Sequence, residues 1–154
     1  MIRKARLLGV KIMTNDRIIQ EAEYADIIIT LLNSPYGISS ITKLVFFAFC
    51  IKHEQNTGAY GKRTKDFVDA FFSNISLKLS THYEDIGIII HFIDMLNKTS
   101  MINVDGDTIT LNKESSHFPE NKFLRACVNR SPNPIIELNK LDAKAMLEEV
   151  IRYV

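Results

Sequence analysis

Cys50 and His53 stand three residues apart, the spacing that sets two soft metal ligands on one face of a helix. A structural zinc site takes four such ligands, and the remaining candidates, His117 and Cys127, lie far along the chain. The residues therefore predict no metal centre. Asp105 and Asp107 form an acidic pair, but they flank Gly106 in a stretch with hairpin chemistry, and turn formation accounts for both. His82, Glu84 and Asp85 mark the start of a predicted helix, where acids complement the helix dipole. A His-acid pair there has neither a nucleophile nor a pocket to act on. His91, on an otherwise apolar helix, reads as a hydrogen-bonded core residue. The stretch "GAYGKRT" is superficially like a phosphate-binding loop, yet its glycines are too close together, Arg63 follows Lys62, and no strand precedes it. These motifs predict a protein that is not an enzyme and holds no cofactor.

The elements that position these residues start from a chain of 154 residues, 46% hydrophobic and 24% charged. A chain of this length buries roughly 70% of its unfolded surface and needs no disulfide to build a core. Two well-separated cysteines fit a reduced, cytoplasmic protein. The basic N-terminus has too short an apolar run for a secretion signal. The greasy stretch 26–55 is broken by Asn33-Ser34-Pro35 and again by charged residues from Lys52, so neither run approaches the roughly 20 apolar residues of a membrane span.

Two helices with a tight corner between them explain that stretch. The first is expected to begin at Asn15 or Asp16, both good N-caps, and to run to about Leu32 with Ile18, Ala22, Ala25, Ile29 and Leu32 on one stripe. The second starts at Ser39 or Ser40 and ends near Glu54, and it is apolar around nearly its whole circumference. Such a helix is either the centre of the domain or partly covered by another polypeptide. After a connection at 55–63, a third helix carries Phe67, Val68, Phe71, Phe72 and Ile75 to about Leu79, although 75–79 also alternates as a strand does. A fourth, very apolar helix spans about 84–97.

"MINVDGDTITL" follows at once, two β-branched runs around Asp-Gly. With Gly106 and Asp107 as the central turn residues, Val104 faces Ile109 and Ile102 faces Leu111, which keeps both apolar pairs on one face. Helices followed directly by a two-stranded hairpin are the order of a mainly α, winged-helix-like domain with the hairpin as its wing. That domain is expected over 1–115, with a C-terminal helical extension over 116–154 packed on it or on a partner. The extension holds a short helix near 120–128, stopped by Pro132 and Pro134. A last helix capped by Asp142 carries the stripe Ala143, Met146, Leu147, Val150, Ile151 and Val154. Of that stripe Met146, Leu147, Val150 and Ile151 are the candidate partner-contact residues.

Winged-helix domains commonly bind DNA, but 19 Lys and Arg stand against 18 Asp and Glu, a net charge of +1. The helix before the wing offers only His91, Asp94, Asn97 and Lys98 among large apolar side chains. Small basic clusters occur at Arg3, Lys4 and Arg6 and at Lys62, Arg63 and Lys65; the second is a candidate for weak contact with a DNA backbone.

The corner in "LLNSPYGISSITKLVFFAF" and the helix-then-wing in "IGIIIHFIDMLNKTSMINVDGDTITL" resemble the middle components of bacterial ABC-three-component systems, the Lamassu-type antiphage defence family. The resemblance covers roughly 16–111. It implies a non-catalytic accessory subunit that docks near the heads of an SMC-like or Rad50-like ATPase and helps restrain an effector, often a nuclease. DNA contact would be weak or indirect. The alternative is a stand-alone winged-helix DNA-binding transcription regulator.

Overall fold

The computed structural model describes residues 2–53 and 75–153. Helix α1 runs Ile2–Leu32, α2 Ile41–Lys52, α3 Ile75–His82 and α4 Glu84–Lys98. The hairpin strands β1, Ile102–Asp105, and β2, Thr108–Leu111, come next, followed by α5 Lys122–Val128, α6 Pro134–Leu138 and α7 Ala143–Tyr153. This is the mainly helical, winged-helix-like arrangement that the element order predicts. Among the described residues no helix is long and apolar enough to cross a membrane.

Helix α1 does not start at Asn15 or Asp16. It continues back to Ile2, because neither residue breaks a helix from within and the segment before them holds no proline. Its expected stripe holds only toward the C-terminal end: Ile18 and Ala22 are exposed, while Tyr24, Ile27, Ile28 and Leu31 are fully buried. The corner closes on Asn33. Its side chain donates to the Ile29 carbonyl at 2.8 Å, and its backbone carbonyl accepts from Tyr36 and Gly37. Gly37 takes a positive φ of 54°, which suits a residue without Cβ.

Ser40 caps α2, its hydroxyl accepting from the Lys43 amide at 3.3 Å. No residue of α2 is exposed, so it is the central helix, enclosed by α1 and α4 on its flanks and by α7. The helical alternative for 75–79 is the one the chain adopts.

The hairpin register is the predicted one: Val104 pairs with Ile109 and Ile102 with Leu111. Gly106 has a positive φ of 59° at the first turn position. The wing is also stitched to the front of α2. The Ile109 amide donates to the Ser39 carbonyl and the Ile41 amide to the Asp107 carbonyl, both at 2.8 Å, so 39–41 forms a short third edge beside β2.

The extension joins the same core. Phe123, Leu124, Cys127, Ile135, Leu138 and Met146 are buried in one cluster with α1, α2 and α4. Pro134, expected only to stop a helix, opens α6 with Asn133 as its cap, since a first-turn proline has no amide to lose. Asp142 caps α7 as expected, accepting from the Ala145 amide at 2.7 Å.

Candidate functional site

Asp85 sits in the first turn of α4 and is nearly buried. Its Oδ2 accepts from the Tyr24 hydroxyl of α1 at 2.5 Å and lies 2.9 Å from Nε2 of His53, the residue that ends α2. The His53 ring stacks on His82 at 4.4 Å between centroids. One carboxylate thus ties together the three central helices, and the imidazole pair brings in the end of α3. Burial pushes the His53 pKa down, which outweighs the raising effect of Asp85; His82 and Lys52 lower it further. Burial also raises the Tyr24 pKa, and its bond to Asp85 adds to that. All of this holds His53 neutral and Tyr24 protonated near neutral pH, as structural hydrogen-bonding groups.

The sequence pairs Asp85 with the neighbouring His82; the fold pairs it with His53 instead. Cys50 is partly buried one turn before His53, whereas Cys127 is buried elsewhere in the core, its thiol pushed up to about 12. Among the described residues no three His, Cys, Asp or Glu side chains gather as metal ligands would. His117, the other distant candidate, lies 2.7 Å from Asp26 of α1, whose carboxylate also accepts from the amides of Glu120 and Asn121. That carboxylate pins the start of the extension to α1. Asp107 likewise serves structure: it accepts from the Thr42 amide at 2.9 Å and from the hydroxyls of Ser40 and Thr42, capping α2 from the wing. Burial pushes its pKa up, but these bonds outweigh that and leave it lowered.

The outward face of α4, the helix before the wing, is not basic. Glu84, Gly87, Ile90, His91, Asp94, Met95 and Asn97 are exposed along it, with Tyr83 just before. Its cation, Lys98, is held by Asp94 at 2.8 Å. His91, expected in the core, faces outward. At the foot of this face, between the ends of α1 and α4 and the wing, lies a cleft of about 420 Å³. Ile29, Leu32, Leu96, Met101, Ile102 and Leu111 form its apolar floor, and Asn112, Lys113 and Glu114 its rim.

The expected partner residues of α7 separate. Met146 is fully buried against the domain. Leu147 is 39% exposed and Ile151 70%, which leaves them an outward apolar pair. The Val150 side chain lies outside those described, as do Lys62, Arg63 and Lys65 and the part of the predicted third helix before Ile75. The polar anchors Tyr24 and Asp26 escaped sequence reasoning, because their partners come from far along the chain, Asp85 at Tyr24 and the extension at Asp26; Asn33, read only as part of the corner, also accepts from the Ser115 amide.

Comparison with protein-family models, with curated proteins and with solved structures finds no match.

Proposed function

We propose that this chain is a non-catalytic accessory subunit of a Lamassu-type, ABC-three-component antiphage defence complex, which docks near the heads of an SMC-like ATPase and helps control an effector nuclease. The outward face of α4 carries the reading. In the position where a DNA-reading helix needs free cations, it presents Ile90, Met95 and Tyr83 with Glu84 and Asp94. Phosphate repels the acids, and the apolar residues gain more from burial against protein than from a charged groove. The cleft beside the wing and the exposed Leu147 and Ile151 of α7 extend the apolar surface available to partners.

The test is a search of the neighbouring genes for an SMC-like ATPase and co-expression with it. The ATPase is expected to co-purify with the wild-type chain, and Ile90→Asp or Ile151→Asp to weaken that capture while the melting temperature of the lone subunit stays within a degree or so. Absence of a neighbouring ATPase gene, or capture unaffected by both changes, counts against the reading. The rival reading, a stand-alone DNA-binding regulator, draws on the helix-then-wing order itself; sequence-specific nanomolar binding to duplex DNA would establish it.

A further inference from the structure

We propose that Phe118 and the outward side of α5 form a docking surface for an acidic, apolar segment of a partner protein. The loop 112–121 that carries Phe118 contains no helix or strand, yet it is tied down along its length. The Ser34 hydroxyl donates to Glu114 at 2.9 Å and the Ser115 amide to Asn33 Oδ1 at 2.8 Å. On one side of Phe118, His117 lies 2.7 Å from Asp26; on the other, Pro119 is buried and its carbonyl accepts from Nε of Arg125 at 2.8 Å. Both neighbours are fixed, and Phe118 between them is 67% exposed. A ring held outward in this way has little freedom left to lose when a partner covers it.

Helix α5 supplies the rest of the surface. Phe123, Leu124 and Cys127 are buried, which sets Lys122, Arg125 and Val128, three residues apart, on the opposite side. All three are exposed, Val128 by 47%. The Arg125 guanidinium lies over the Phe118 ring, 5.5 Å from its centroid, so loop and helix present one patch. Aromatic residues and arginine are the types enriched where proteins meet.

Charge and apolar content identify the partner. Lys122 and Arg125 are the cations of the patch, with Glu120 at its edge. With Nε directed at Pro119, the η nitrogens of Arg125 are the pair that can meet a carboxylate side by side. Two cations make a weak site for a nucleic acid, whose affinity is built from many phosphate contacts. Phe118 and Val128 instead gain from burial against apolar side chains. The ligand that fits both is a protein segment in which carboxylates accompany apolar residues, as on an acidic amphipathic helix. This patch is on a different helix from the α4 face and does not depend on what that face binds.

The probes are two fluorescein-labelled amphipathic helical peptides, one of glutamate and leucine and one of lysine and leucine in the same order, and an oligothymidylate. Fluorescence anisotropy with the full chain at physiological salt should show the glutamate peptide binding at least about tenfold more tightly than either other probe. Phe118→Ser and Lys122→Glu should each weaken that binding by about tenfold, and Lys122→Glu should also narrow the preference over the lysine peptide. Both positions are exposed, and circular dichroism confirms that each variant is folded. Ile151→Ser, on α7, should leave the affinity unchanged. A glutamate peptide that does not bind overturns the proposal, as does equal binding of the two peptides or binding indifferent to both Phe118→Ser and Lys122→Glu. Tighter binding of the oligothymidylate would overturn it as well, marking a nucleic-acid surface instead.

Discussion

Asp85→Ala removes the carboxylate that joins α1, α2 and α4. The Tyr24 hydroxyl, on a side chain with no exposure, then has no acceptor, and an unsatisfied buried donor costs roughly 1–3 kcal/mol. Loss of the His53 bond adds roughly 0.5–1.5 kcal/mol. A total of about 2–4 kcal/mol is a large share of a stability of about 5–15 kcal/mol. For a chain of this size it corresponds to a fall of roughly 5–15 °C in Tm. Urea unfolding followed by circular dichroism measures it, with the slope of the transition checked for change. Tyr24→Phe in the Asp85→Ala background removes the stranded donor as well, so the double variant should be no less stable than Asp85→Ala alone, with a coupling of roughly 0.5–3 kcal/mol. An Asp85→Ala protein within about 0.5 kcal/mol of wild type, or a double variant whose cost is the sum of the singles, would refute the reasoning.

Because His53 has a folded pKa below its ordinary 6.5, the unfolded chain takes up the proton first; stability is complete above pH 6.5 and falls as the pH drops toward the folded value. His53→Gln should flatten that dependence when urea midpoints are compared on either side of pH 6.5. Met146→Ala should destabilise by about 2–5 kcal/mol in the same unfolding assay, as expected for a fully buried methionine that anchors α7. Binding to short duplex DNA at physiological salt should be no tighter than a Kd of about 10⁻⁴ to 10⁻⁶ M by fluorescence anisotropy, since the cation on the outward face of α4 is already paired.

Local chemistry in the sequence determined the elements. The alternation of Ile102, Val104, Ile109 and Leu111 around Gly106 specifies one register, because a slip of one residue turns the apolar pairs to solvent. Ser40 and Asp142 announce their helix starts because a capping side chain acts within three residues. The all-round greasiness of α2 implies enclosure, while leaving open what encloses it. Tertiary structure decided that, covering α2 with α1, α4 and α7 of the same chain. It also decided which histidine Asp85 meets, and that Asp26, Asn33 and Asp107 act as clasps between distant segments. The split of the α7 stripe into a buried Met146 and an exposed Ile151 is of the same kind. Periodicity shows that a helix has an apolar side; how much of that side is covered depends on the tilt and reach of the surface it packs against, and that surface is assembled from residues far away in the chain.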